Sequence, residues 1–125
     1  AQPTVSAPRR VPSDLENKVK AELKRLEASN IITPVTEYTE CFHPIVVVTK
    51  KHGSVCLCLD PRNLNAALKR HHYQTSIPEE LFAGLSGSTV FSVLDAKSAF
   101  WQLTLDEPSS WLCTFATPWG RYRFL

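Results

Sequence analysis

The sequence predicts an α+β fold, and three observations carry that reading. Leu15, Val19, Leu23 and Leu26 recur at helical spacing near the start of the chain. The β-branched run Ile45-Val46-Val47-Val48-Thr49-Lys50 and the run Val55-Cys56-Leu57-Cys58-Leu59 flank a glycine-bearing turn, as in a hairpin. Further on, helical and strand patterns mix without the strict alternation of a parallel α/β sheet. At 125 residues the chain fits one small domain or part of a larger one. A hydrophobic fraction of 43% is enough for a packed core and argues against general disorder.

In chain order, residues 1–12 hold three prolines and read as an extended lead-in. Ser13 and Glu16 have capping-box spacing, with Ser13 as N-cap of the first helix. Asn30 is placed to stop that helix, and Pro34 prevents its continuation. After the hairpin, Asp60 as cap and Pro61 as first residue open a short helix whose inner face carries Leu64 and Leu68. Pro78-Glu79-Glu80 opens another, running through Leu81, Phe82 and Leu85 to a terminal glycine, Gly87. Val90 to Leu94 reads as a buried strand delivering Asp95 at its end. Trp101 to Leu105 and Trp111 to Thr117 alternate as strands do, and Gly120 turns into a last strand, Arg121 to Leu125. A core strand needs neighbours on both sides, so the last strand is expected to lack partners, leaving marginal stability and exposed apolar surface.

The formal net charge is only +2, but it is unevenly spread. Residues 1–75 hold 11 Lys/Arg against 7 Asp/Glu, and the remainder holds 3 against 5. A basic front half suits phosphate contacts and an acidic back half suits a metal site, although such asymmetry is commonly plain solvated surface. No signal-peptide pattern and no apolar run of membrane length is present, so a cytoplasmic or nuclear setting with reduced thiols is expected. Of the four cysteines, Cys56 and Cys58 are two apart and share one face of a strand. A zinc site needs two further ligands at suitable spacing, which the four histidines do not supply, so these thiols read as small core residues.

Asp95 is the focus for chemistry. A carboxylate at the end of a buried strand is rigidly held where a divalent cation can reach it, but the same residue could cap a helical turn. Lys50 and Lys51 beside the hairpin tip are candidate phosphate clamps, or lysines that keep an edge hairpin soluble. Phe100 and Trp101 could shape a pocket or belong to the core. Arg62, Asn63 and Asn65 read as surface residues.

In this order the segments resemble the reverse transcriptase of gypsy-class LTR retrotransposons. The resemblance is carried by Asn30-Ile31-Ile32-Thr33-Pro34, by Val46-Val47-Val48-Thr49-Lys50-Lys51-His52-Gly53, and by Cys58-Leu59-Asp60-Pro61-Arg62-Asn63-Leu64-Asn65. It continues through Phe91-Ser92-Val93-Leu94-Asp95-Ala96-Lys97-Ser98-Ala99-Phe100-Trp101-Gln102, Leu105-Asp106-Glu107 and Thr114 to Tyr122. The similarity runs from about Arg9 to the last residue. It implies the fingers (13–88) and the start of the palm (89–125) of a right-hand RNA-directed DNA polymerase, cut before the second catalytic hairpin.

That resemblance also implies roles. Asp95 would be the first of three aspartates holding Mg2+ or Mn2+ for nucleotidyl transfer. Lys50, or Lys51 in its place, would contact the triphosphate of the dNTP, and Ser98 and Ala99 would offer it backbone N–H groups. Phe100 would exclude a 2′-hydroxyl sterically. Arg62 and Asn65 would lie along the template of an RNA or DNA template-primer, contacting backbone more than bases. The rest of the palm, a thumb and an RNase H would be partners, with no membrane involved. Two departures stand out. Cys56 occupies a position where the family has an arginine that grips nucleotide phosphates, and a thiol offers neither the charge nor the fork. The adjacent aspartate pair is absent, so this chain alone is not expected to polymerise or to hold the ions tightly. The competing expectation is a decayed or host-retained relic that binds nucleic acid without catalysis.

Overall fold

The chain is described from a computed structural model covering Ala7 and residues 9–125. The expected lead-in falls partly outside the described residues, and from Arg9 to Pro12 it forms no regular element. The elements are α1 (Glu16–Ala28), β1 (Ile32–Val35), β2 (His43–Thr49), β3 (Val55–Leu59), α2 (Arg62–Ala67) and α3 (Pro78–Gly84). A short 3-10 turn (Ala99–Gln102) follows, then α4 (Glu107–Leu112), β4 (Thr114–Thr117) and β5 (Gly120–Phe124). The five strands form one sheet in the order β1-β5-β4-β2-β3. All neighbours are antiparallel except β2 and β4, which run parallel. The α+β class expected from sequence is the one found.

Helix α1 forms because its apolar residues fall on one stripe. Val19, Leu23 and Leu26 are fully or almost fully buried, packed with Ile32, Ile45, Val55, Leu57 and Phe115. The helix does not begin with the expected Ser13 cap. Leu15 N–H donates to the Pro12 carbonyl (2.9 Å), so residues 13–15 form a turn and Leu15, without a side-chain cap, precedes the helix. Its other end follows the reading. Asn30 adopts φ 54°, the Asn30 N–H reaches the Glu27 carbonyl (3.0 Å), and the Ile31 N–H reaches that of Leu26 (2.9 Å). This is a Schellman closure, with asparagine in the left-handed position that glycine more often fills.

Strand β1 contains Pro34, a residue that stops the preceding helix but does not prevent this strand. It lies on the outside of the sheet, paired with β5 alone, where a proline without an N–H is tolerated. Strand β5 corrects the expectation that the last strand lacks partners. It lies between β1 and β4 and pairs with both. Phe115 on β4 is completely buried, with the Tyr122 ring 5.9 Å and the Phe124 ring 5.2 Å from its own.

The segment between β3 and α4 departs most from the reading. Val90 to Leu94 forms no strand, and Val90, Phe91, Val93 and Leu94 are between 61% and 95% exposed. An apolar run becomes a strand only beside a partner, and none of the described strands lies along it. Trp101 to Leu105 is likewise not a strand but a 3-10 turn followed by irregular chain. The expected strand from Trp111 begins only at Thr114, because Asp106 caps α4 by accepting from the Ser109 N–H at 2.9 Å. Asp60 does not cap α2; Pro61 takes that place without a side-chain bond. Exposed apolar surface exists as expected, but most of it lies between Ile77 and Leu103 and not on the last strand.

Truncation of Phe115 to alanine is expected to cost about 3–5 kcal/mol, the usual figure for a buried phenylalanine. Urea unfolding followed by tryptophan fluorescence measures it. A loss well below 1 kcal/mol would mean that the β4–β5 contact is not central to the core.

Candidate functional site

The β2–β3 hairpin carries Lys50 and Lys51 on its tip. The turn is closed by the Lys50 N–H to the Ser54 carbonyl (2.8 Å) and the Gly53 N–H to the Lys50 carbonyl (2.9 Å). Gly53 has φ 77°, a conformation that side-chain-bearing residues rarely adopt. The tip is tied to α1, since the Lys18 ammonium donates to the Gly53 carbonyl at 2.9 Å. Lys50 and Lys51 are exposed.

Arg25 of α1 links that helix to the 3-10 turn, a role not legible in the sequence. Its Nε and Nη2 donate to the two carboxylate oxygens of Glu22 at 2.8 and 2.7 Å. Its guanidinium also stacks 5.6 Å from the centre of the Trp101 ring. The Arg25 hydrogen bonds hold Glu22 below the ordinary carboxylate range against its partial burial, and the charge of Lys50 adds to the effect. Glu22, Arg25 and Trp101 are thus joined by contact, and the charge of Lys50 on the hairpin bears on Glu22. The three-residue spacing of Glu22 and Arg25 permits the ion pair, whereas its aromatic neighbour is set by how α1 packs.

In that segment Asp95 sits in exposed, irregular backbone and not at the end of a buried strand. Ser98 has φ 54°, a left-handed conformation that costs a non-glycine residue about 1–3 kcal/mol. The turn is closed by the Trp101 N–H to the Ser98 carbonyl (2.9 Å) and by the Gln102 side-chain Nε2 to the Lys97 carbonyl (2.8 Å). The Ser98 and Ala99 amides have no hydrogen-bond partner among the described residues. The two aromatic side chains separate. Trp101 packs against the core, whereas Phe100 is 89% exposed.

Arg62 and Asn65 lie on α2. The Asp60 carboxylate accepts from Arg62 Nε (3.0 Å) and Nη2 (2.9 Å), and Arg9 adds a second guanidinium to it. The Arg62 hydrogen bonds hold Asp60 below the usual carboxylate range, helped by the charges of Arg62 and Arg9. Asn65 is exposed, and its N–H closes the helix on the Pro61 carbonyl. The two thiols read as core residues are not in the core: Cys56 is half-buried and Cys58 exposed. Among the described residues no three His, Cys, Asp or Glu side chains gather as a metal cluster, and no helix is long and apolar enough to cross a membrane. A groove lined by Arg10, Val11, Pro12, Ser13, Glu16 and Pro118 contains none of the candidate residues.

The fold is that of a region within viral protease–reverse transcriptases. The native prototype foamy virus protease–reverse transcriptase superposes with a TM-score of 0.75 at 20% identity, covering 99% of this chain and 16% of that one. The foamy viral protease–reverse transcriptase in complex with dsDNA gives a TM-score of 0.74 at 17% identity, covering 99% and 26%. The curated sequence relatives include transposon polyproteins. The chain is 32% identical over 82 residues to the transposon Tf2-3 polyprotein of Schizosaccharomyces pombe, covering 66% of this chain and 6% of the relative. It is also 37% identical over 128 residues to uncharacterized protein K02A2.6 of Caenorhabditis elegans, covering 100% of this chain and 10% of the relative. The chain thus spans about a tenth or less of the curated relatives it matches. No protein-family model matches it.

The Asp60 cluster generates a pH prediction. A carboxyl held below its unfolded value contributes stability above that value and loses it as pH falls through the folded one. The contribution should therefore persist at neutral pH and disappear only below about pH 4. In Arg62→Ala the Asp60 titration midpoint, followed by carboxyl NMR, should move upward. An unchanged midpoint would show that the ion pair does not form in solution.

Proposed function

We propose that this chain is the front portion of the reverse transcriptase of a gypsy-class LTR retrotransposon, with residues 13–88 as fingers and 89–125 as the start of the palm. The observation that carries the proposal is the way α1 joins the two candidate segments. Lys18 holds the lysine-tipped hairpin at Gly53, and Arg25 stacks on Trp101 of a strained turn whose Ser98 and Ala99 amides have no partner among the described residues. Successive amides in such a turn form a concavity suited to an anion, and the mobile ammonium groups of Lys50 and Lys51 suit a phosphate.

In this reading Lys50, with Lys51 beside it, neutralises the triphosphate of the incoming dNTP, while the Ser98 and Ala99 amides hold its oxygens. Phe100, freely exposed, bars a 2′-hydroxyl. Arg62 and Asn65 contact the template backbone, with Arg62 keeping one terminal nitrogen beyond those committed to Asp60. Asp95 supplies one hard oxygen ligand. A divalent ion would polarise phosphate oxygens there, but such sites combine carboxylates with substrate phosphates. No further ligand set surrounds Asp95 among the described residues. The remaining carboxylates are assigned to the part of the polyprotein beyond this segment, and so is the partner strand that Val90 to Leu94 lacks here.

The second reading, a non-catalytic relic that binds nucleic acid, is favoured by one observation: Cys56 where the resemblance places an arginine. Two measurements test these readings. First, fluorescence anisotropy of a labelled RNA–DNA primer-template should show binding that weakens with salt. Lys50→Ala or Lys51→Ala should each lower the log–log salt slope by about 1. Binding indifferent to salt would sink both readings.

Second, primer extension by the longer polypeptide that contains this segment separates them. Synthesis should be abolished by Asp95→Asn and raised by Cys56→Arg by up to about a hundredfold, the scale of one charge-assisted transition-state contact. Binding without any synthesis, even with arginine at position 56, would select the relic.

A further inference from the structure

The Cys56 and Cys58 sulfurs lie 3.9 Å apart. They occupy alternate positions of β3, opposite Val48 and Val46 of β2, on the face turned away from the buried Val55 and Leu57. Strand β3 is an edge strand of the sheet, so this face is reached from solvent along an open edge. Both thiols are free. The result is a converging, accessible pair of soft donors on a strand whose other face anchors the core.

The donor count decides which ion such a pair can satisfy. No third His, Cys, Asp or Glu joins the two thiols among the described residues. Zinc in a structural site takes four ligands, and magnesium takes oxygen ligands in an octahedron. A soft ion content with two sulfurs needs nothing more, and thiolate donors select Cu(I). We propose that Cys56 and Cys58 form a two-thiolate site for Cu(I), independent of the polymerase reading. Binding releases one proton from each thiol to solvent and forms two Cu–S bonds. No electron is transferred, and the product carries one negative charge.

The surroundings favour that product. Lys50 and Arg25 lie near enough to bear on these thiols, and their positive charges stabilise an anionic bis-thiolate. The spacing suits the ion too, since the pair needs only a small side-chain adjustment to grip it from both sides.

The test is anaerobic titration of the reduced chain with Cu(I), added as its acetonitrile complex, against bicinchoninate as a coloured competitor. One equivalent should leave the competitor. Cys56→Ser and Cys58→Ser should each abolish that transfer, while Cys41→Ser and Cys113→Ser should retain it. X-ray absorption of the loaded chain should show two sulfur neighbours. If the serine variants fail to fold by circular dichroism, alkylation mapping of the unmodified chain decides. Cu(I) should then protect Cys56 and Cys58 from iodoacetamide and leave Cys41 and Cys113 reactive. The proposal is overturned by failure to draw one equivalent from the competitor, by transfer that survives either Cys56→Ser or Cys58→Ser, by protection of the wrong cysteines, or by Zn(II) held as firmly as Cu(I).

Discussion

Strand β5 is the constraint on which the rest depends. Among the described strands it alone pairs with both β1 and β4, so without it the front strand following α1 has no place in the sheet. Its Tyr122 and Phe124 rings close over Phe115, and Arg123 donates to the Ser110 hydroxyl, which in turn donates to the Phe124 carbonyl. Backbone pairing, aromatic packing and a buried polar contact thus act through the same five residues. Helix α1 covers the resulting layer with Val19, Leu23 and Leu26, and that cover in turn carries Lys18 and Arg25 to the hairpin and the 3-10 turn. The geometry of the candidate site is a consequence of how this sheet is closed.

Where the sequence was legible, local chemistry and long-range packing agreed. The α1 stripe, the Asn30 stop, the Gly53 turn and strand β3 each follow from residues within a few positions of one another. Reading failed where an element depends on a distant partner. Ile32 to Val35 is short and contains a proline, and only its pairing with β5 makes it a strand. Val90 to Leu94 has the composition of a strand but no neighbour among the described strands, and composition cannot supply one. For α4 a usable signal was present: Asp106 three residues before Ser109, with Pro108 early in the helix, is a start signature that the alternation after Trp111 masked.

The candidate site divides along the same line. Its residue types and their order could be read directly, since lysines at a hairpin tip and an aspartate followed by a small-residue turn are sequence facts. Its connection could not. Arg25 looks like half of an ordinary surface ion pair on a helix, worth little by itself. Only the packing of α1 sets it beside Trp101 and close to Cys56. Cys56 and Cys58 show the opposite case: their shared face was evident from their spacing, but the side of the sheet they occupy was not.

The central position of β5 has a consequence for synthesis on the ribosome. Strands β1 and β5 are about ninety positions apart, and contacts of such long separation are slow to form. As the chain emerges, α1 and the β2–β3 hairpin can form early from neighbouring residues. The sheet cannot close until β5 has left the exit tunnel. Through that interval β1 and β4 present unpaired edges and the apolar face of α1 is only partly covered, which is when such a chain is open to wrong partners. A chaperone that engages the nascent chain would have its window there, and it would close with the emergence of a single strand.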